Sequence, residues 1–147
     1  MTPFVDTNVI LEQVLKRKRY KIVQEMLKEF VVQDIDICVS YLSMANMAYV
    51  LKKRRSKEQL NKMLKAIQGY VKIFNCTNSQ WKRATAHLPV KDFEDLLQYQ
   101  CAKDHHCDAI ITFNKKDFTF TDDISIYTPQ EYLNLIRSDK YTNEHQN

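Results

Sequence analysis

The chain has 147 residues, a formal net charge of +4 at pH 7 and a hydrophobic content of 44%. This is the size and composition of one globular domain with its own core. Gly69 is the only glycine, which excludes the glycine-rich loops of P-loop and dinucleotide-binding proteins. No apolar run approaches the ~18 residues of a membrane span, and no basic-then-apolar leader opens the chain. We therefore expect a cytoplasmic protein without a membrane segment.

The cysteines indicate free thiols rather than disulfides or a zinc site. The four of them form no Cys-x-x-Cys pair, and scattered thiols of this kind are typical of a reducing compartment. His105 and His106 stand beside Cys107. No second pair of ligands follows at zinc-finger spacing, so we do not expect zinc.

Basic residues are concentrated in two runs. Residues 16–19 read KRKR and residues 52–55 read KKRR, and the segment 52–65 holds seven basic residues against one acidic residue. Such a surface can attract a phosphate backbone. Cations in the last turn of a helix also complement the helix dipole without binding any ligand. Charge alone leaves both interpretations open.

The first half of the chain predicts alternating strands and helices. Pro3 to Val5 predicts a buried strand that ends at Asp6. Apolar residues at helical spacing predict helices from Val9 to Leu15 and from Ile22 to Phe30. A β-branched strand is expected from Ile35 to Val39, and a buried, almost uncharged helix from Leu42 to Leu51. A capping box at Ser56 and Gln59 predicts a further helix, which ends at Gly69.

The second half continues the alternation. We expect strands at Tyr70–Phe74, Ala109–Thr112 and Ser125–Tyr127. Helices are expected to start near Asn78, Asp92 and Thr128, with a break at 88–90 and a polar loop after Thr112. The domain is predicted to span residues 1–136, followed by a polar, frayed tail at 137–147.

Strands separated by helices, without hairpin turns, predict an α/β fold with a mostly parallel central sheet flanked by helices. Ligands bind such sheets beyond the carboxyl ends of the strands. Asp6 and Asn114 follow the ends of two predicted strands. Asp95 lies in the first turn of its helix, where the dipole favours an ionised carboxylate.

These polar residues are the kind that hold a hard divalent cation. Mg²⁺ takes oxygen ligands, keeps several waters and often needs only one or two carboxylates. Asp6, Asp95, Asn114 and Asp117 supply such oxygens, and a metal held there can polarise a phosphodiester and activate water. Each acid also has a purely structural interpretation. Asp6 and Asp92 can cap helices, Asp95 can be a surface acid and Asp117 a turn residue.

Three motifs resemble those of the PIN-domain family, and within it the single-domain toxins of the VapC type. They are FVDTNVIL at the start, VSYLSMANMAYVL in the middle and DFEDLLQYQCAKDHHCDAIITFNKKDF near the end. The resemblance covers residues 1 to about 136. It implies a Rossmann-like PIN fold and Mg²⁺- or Mn²⁺-dependent cleavage of RNA. It also implies an antitoxin protein as partner and a homodimer.

The family's acidic positions map onto this chain residue by residue. Asp6 matches the first acid, Asp95 the third and Asn114 the fourth, with Asp117 just beyond it. The resemblance makes these four the catalytic set and Asp6, Asp95 and Asn114 the metal ligands. Supporting roles fall to Asn8, Ser43, Asn46, Asp92, Glu94 and Thr112.

One position departs from the family pattern. The second acid is usually a glutamate in the helix after the second strand, and here Asn46 occupies that place. An amide carries no charge, so two hypotheses stay open. The first is a toxin-type endoribonuclease that hydrolyses RNA with a metal-activated water. The second is a catalytically impaired PIN-fold module that binds RNA or protein.

Overall fold

A single parallel sheet forms the centre of the molecule. The computed structural model describes residues 1–86, 89, 92–121 and 123–145, with side chains as far as residue 140. The strands are β1 (Pro3–Val5), β2 (Ile37–Ser40), β3 (Val71–Phe74), β4 (Ala109–Ile111) and β5 (Ser125–Tyr127). They lie in the order β3-β2-β1-β4-β5, and every neighbouring pair is parallel. The predicted α/β class with a parallel sheet is confirmed.

The helices alternate with the strands as expected. They are α1 (Thr7–Val14), α2 (Tyr20–Val32), α3 (Tyr41–Lys52), α4 (Lys57–Gln68), α5 (Asn78–Ala86), α6 (Phe93–Asp104) and α7 (Pro129–His145). The polar segment after β4 forms a short 3₁₀ turn, Lys115–Phe118, rather than an irregular loop. The expected break at 88–90 lies outside the described residues except for Pro89.

Side chains on the two faces of the sheet enter different cores, because successive residues of a strand point to opposite faces. Val5 and Ile111 are fully buried in a cluster with residues of α1, α2 and α7. Phe4 and Ile110 are buried on the other face, against α6 and the 3₁₀ turn. A third cluster, Leu11, Met47 and Leu51, joins α1 to α3.

The expected burial of α3 was wrong. Only Ser43, Met47 and Leu51 are buried in this helix, whereas Tyr41 is 55% and Tyr49 63% exposed. A low number of charges therefore did not indicate burial on all sides. The helix buries one stripe and leaves an aromatic face towards solvent.

The boundaries of strand β2 and helix α7 also differ from the prediction. Strand β2 begins at Ile37 instead of Ile35 and extends to Ser40, whose hydroxyl then caps α3. Helix α7 continues to His145, so the polar segment that was expected to fray is helical up to that residue. Ion pairs of Arg137 with Glu25 and Glu29 tie the middle of α7 to α2.

The connections leave a crevice between the central strands. From β1 the chain moves to β2 and β3 on one side, then returns to β4 on the other side of β1. The carboxyl ends of β1 and β4 therefore flank the point where the strand order reverses, a common ligand-binding position in open sheets. All four cysteines are free thiols, as expected. None of the described helices is long and apolar enough to cross a membrane.

Candidate active site

A small polar cavity lies at this reversal point. Its volume is about 90 Å³, and it is lined by Asp6, Asn8, Asp92, Glu94, Asp95, Gln98, Thr112, Asn114 and Asp117. The register of the sheet explains why residues 106 positions apart meet here. Val5 pairs with Ile111, so the next residues, Asp6 and Thr112, emerge side by side at the end of the sheet.

Asp6 is the most deeply buried acid of the cavity, with 4% of its surface exposed. It begins α1 as the N-cap, and its Oδ1 accepts a hydrogen bond from the backbone N–H of Asn8 at 3.4 Å. Its Oδ2 accepts a hydrogen bond from the Thr112 hydroxyl at 3.0 Å. The capping role and the position in the cavity therefore coexist in one carboxylate.

Helix α6 supplies the largest share of the cavity wall. Asp92 caps the helix, and its Oδ1 accepts a hydrogen bond from the Glu94 N–H at 2.9 Å. Gln98 follows Asp95 by three residues and Glu94 by four, so the three side chains lie on one face of the helix. The Gln98 amide donates to Glu94 Oε1 at 3.1 Å.

The segment after β4 closes the third side. The N–H of Asn114 donates to the Thr112 hydroxyl oxygen at 3.1 Å, and the N–H of Asp117 donates to the Asn114 carbonyl at 2.9 Å. These bonds turn the chain into the 3₁₀ turn and bring Asp117 to the cavity. The hydroxyl of Thr112 thus links Asp6 to this segment through two hydrogen bonds.

The cavity concentrates negative charge without a protein cation. None of its five carboxylates forms an ion pair with a described side chain. Burial raises the pKa of Asp6. Burial, and then the charges of Asp92, Asp6 and Asp117, raise the pKa of Asp95 to about 7. A bound cation would favour the ionised carboxylates, because it would offset both the burial and the repulsion between these acids.

The donor set matches a hard cation that needs few charged ligands. Across the described residues, no group of three His, Cys, Asp or Glu side chains forms a ready-made metal-binding set. The cavity does combine carboxylates with amide and hydroxyl oxygens. Mg²⁺ and Mn²⁺ sites of this kind rely on one or two carboxylates, neutral oxygens and retained waters.

The structure brings together most of the residues that the sequence singled out. Eight line the cavity: Asp6, Asn8, Asp92, Glu94, Asp95, Thr112, Asn114 and Asp117. Ser43 and Asn46 do not line it. The Ser43 N–H instead donates to the Ser40 hydroxyl oxygen at 3.0 Å in the cap of α3, and Asn46 is a half-buried residue of the same helix.

One further residue, Gln98, lines the cavity and was not predicted from the sequence. A glutamine in an amphipathic helix carries no motif of its own, so nothing marked it as different from its neighbour Gln100. The available signal was its spacing, three residues after Asp95 and four after Glu94, which puts it on the acidic face of α6.

A family model for the PIN domain matches residues 3–116. The chain belongs to the PIN-domain family. Ribonuclease VapC1 of Aquifex aeolicus (strain VF5) is 28% identical over 134 residues, covering 88% of this chain and 91% of the relative.

Solved structures of toxin–antitoxin systems have the same PIN fold. A chain of VapBC2 from Rickettsia felis, bound to a promoter DNA fragment, matches with a TM-score of 0.69, 18% identity and coverage of 86% of this chain and 97% of that one. VapBC-1 from nontypeable Haemophilus influenzae matches with a TM-score of 0.69, 19% identity and coverage of 88% and 99%. A toxin–antitoxin complex from Klebsiella pneumoniae matches with a TM-score of 0.65 and 20% identity, and the match covers 86% of this chain and 97% of that one.

Proposed function

We propose that this chain is a divalent-metal-dependent endoribonuclease of the toxin–antitoxin type. The observation that carries the proposal is the cavity at the strand reversal of a PIN fold, where five carboxylates meet without a protein cation. Uncompensated acids at a ligand-binding position are typical of a site whose counter-charge is a metal ion. The similarity to a ribonuclease over most of the chain supports the same conclusion.

Asp6, Asp95 and Asn114 would hold the Mg²⁺ or Mn²⁺ ion, and Asp117 completes the catalytic set. The bound metal would polarise the RNA phosphodiester and supply an activated water for hydrolysis. The other residues act on these groups. Thr112 orients the Asp6 carboxylate through its hydroxyl, while Asp92 fixes the start of α6 and hence the direction of Asp95. Asn8, Glu94 and Gln98 complete the polar wall.

A cationic loop beside the cavity supports RNA as the substrate. The guanidinium of Arg19 lies 3.6 Å from the centre of the Phe113 ring, and Phe113 stands between the cavity residues Thr112 and Asn114. This contact anchors the basic run 16–19 near the acidic site. Lys16 and Lys18 in this run are exposed, and we propose that they contact phosphates flanking the cleaved bond.

Cleavage of structured and unstructured RNA with Mg²⁺ or Mn²⁺ tests the proposal. We expect metal-dependent cleavage that is lost on chelation and strongly reduced in Asp6→Asn and Asp95→Asn. Equal cleavage by these variants and the wild type would contradict it. RNA binding without cleavage under any metal would instead favour the impaired binding module. That alternative is supported by the lack of a metal-binding group of three His, Cys, Asp or Glu side chains among the described residues.

We further propose an antitoxin protein as partner, because solved structures of the same fold come from toxin–antitoxin systems. An apolar groove of about 470 Å³ between α1, α2 and α4 is suited to receive it. Val31 lines this groove and is 76% exposed, whereas the adjacent Val32 is 67% exposed and does not line it. Tyr70 also lines the groove and is 74% exposed, and a contiguous apolar surface of this kind is typical of one that another chain covers.

The two valines give a matched test of this partner. The product of the gene next to this one should co-purify with the wild-type chain and with Val32→Lys, and should be lost from Val31→Lys. Equal co-purification by both variants would place the contact elsewhere.

We also propose that the chain is cytoplasmic and forms a homodimer. Light scattering of the isolated chain would test the dimer. The exposed Tyr41 and Tyr49 of α3 offer an aromatic surface for the dimer contact.

A further inference from the structure

Gln98 is a buried polar residue whose hydrogen bonding is incomplete. It is 1% exposed and lines the acidic cavity. Its Nε2 donates to Glu94 Oε1 at 3.1 Å, and its Oε1 has no hydrogen-bond partner among the described residues. A buried carbonyl oxygen without a donor is costly, so native proteins rarely keep one unless a bound group satisfies it.

The neighbouring carboxylates determine which way the amide faces. A carboxylate only accepts hydrogen bonds, so the amide NH₂ must face Glu94. The same side chain also lies close enough to Asp6 to offset part of the rise that burial causes in the pKa of that carboxyl group. The amide nitrogen of Gln98 therefore faces Glu94, and the carbonyl oxygen is the group that remains available to a ligand.

We propose that Gln98 is a positioning residue of the metal site, whose Oε1 accepts a hydrogen bond from a water on the bound cation while its NH₂ holds Glu94. This inference rests on the proposed metal-dependent function and adds a residue to it. Mg²⁺ and Mn²⁺ keep several waters, and each such water brings hydrogens that need an acceptor. Outer partners of this type orient the groups that touch the metal.

Gln100 on the same helix provides a matched control. It is also buried, with 3% exposed, but its Oε1 accepts a hydrogen bond from Arg83 Nε at 2.8 Å. Gln100 is therefore a satisfied structural glutamine that links α6 to α5. Replacement of either residue by methionine keeps the length and the helix propensity of the side chain and removes its polar atoms.

The experiment measures Mn²⁺ affinity by titration and the melting temperature of the full chain with and without Mn²⁺. Gln98→Met should bind Mn²⁺ about 10–100-fold more weakly, the usual loss when an outer partner of a metal site is removed. Its melting temperature without metal should stay unchanged or rise, because the unsatisfied oxygen is gone. Gln100→Met should show the opposite pattern: a lower melting temperature and unchanged Mn²⁺ affinity. Gln98→Glu, which keeps an acceptor oxygen, should retain Mn²⁺ binding.

The outcomes separate this inference from the function on which it rests. No Mn²⁺ binding by the wild-type chain would overturn the metal site itself. Wild-type affinity in Gln98→Met, together with weaker binding in Asp95→Asn, would overturn only the role of Gln98. A lower melting temperature of metal-free Gln98→Met with unchanged Mn²⁺ affinity would assign Gln98 a structural role and contradict the proposal.

Discussion

The hydroxyl of Thr112 donates a 3.0 Å hydrogen bond to Asp6 Oδ2 across a separation of 106 residues. This bond joins the ends of β1 and β4 and holds the most buried acid of the cavity. Thr112 is itself fully buried, and its hydroxyl oxygen also accepts the N–H of Asn114. One side chain therefore links the first acid of the site to the segment that carries Asn114 and Asp117.

Removal of this hydroxyl should weaken both the fold and the site. Thr112→Val keeps the shape but leaves Asp6 Oδ2 and the Asn114 N–H without their partner, which should cost about 1–3 kcal/mol of unfolding free energy. Urea denaturation measures the loss. Thr7→Val is the matched control, because the buried Thr7 hydroxyl has no hydrogen-bond partner among the described groups. Equal destabilisation by both variants would show that the Thr112 hydrogen bonds make no specific contribution to the unfolding free energy.

Asp95 should make metal binding depend on pH near neutrality. Burial and neighbouring acids raise its pKa from the ordinary 3.8 to about 7, so below pH 7 a proton competes with the cation. Mn²⁺ affinity should rise as the pH increases from 6 to 8, with release of a proton on binding. Isothermal titration in buffers of different ionisation enthalpy measures that proton. An affinity independent of pH would contradict the raised pKa.

The same shift predicts how stability without metal depends on pH. Asp95 has a higher pKa folded than unfolded, so the folded chain binds its proton more tightly. Its contribution is favourable at low pH and is lost as the pH rises from about 4 to about 7. In Asp95→Asn, the unfolding free energy should therefore decrease less between about pH 4 and about pH 7 than it does in the wild type. A variant whose stability falls as steeply as that of the wild type would assign the dependence to other groups.

The loop at residues 16–19 should set the salt dependence of RNA binding. If Lys16 and Lys18 each contact a phosphate, Lys16→Gln/Lys18→Gln should reduce the slope of log affinity against log salt by about 1.4. Filter binding with single-stranded RNA and no divalent metal measures this slope apart from cleavage. Lys57→Gln/Lys65→Gln in α4 removes the same charge away from Phe113 and should leave the slope nearly unchanged. The reverse result would place RNA on α4.

Asn46 should matter less to the metal than its sequence position suggests. It does not line the cavity, so Asn46→Glu should leave Mn²⁺ affinity and RNA cleavage as in the wild type. Titration and cleavage rates of this single variant decide the point. A clear gain in either would show that α3 approaches the metal when it is bound, and would restore the family's second acid to the site.

Much of the fold could be predicted from the sequence because local signals and tertiary structure agree. The capping box at Ser56 and Gln59 is present, and Asp92 caps α6. The burial of α3 could not be predicted, because solvent exposure depends on which partners a helix finds. No element among the described residues packs over Tyr41 and Tyr49 closely enough to bury them.

The lining of the cavity was predictable where an acid follows a strand end or stands in the first turn of a helix, and unpredictable where a neutral side chain completes the wall. Asp6 and Asp95 carry charge at positions that the α/β topology makes functional. Gln98 becomes visible only when the helix face and the missing hydrogen-bond partner of its oxygen are known. The pairing of Thr112 with Asp6 likewise depends on the register of β1 against β4.

Anomalous diffraction from crystals soaked in Mn²⁺ tests the central claim most directly. We predict a Mn²⁺ peak in the acidic cavity between Asp6 and Asp95, and its loss in crystals of Asp95→Asn. A cavity without a peak, at a Mn²⁺ concentration that supports RNA cleavage in solution, would contradict the assignment of this cavity as the metal-dependent active site.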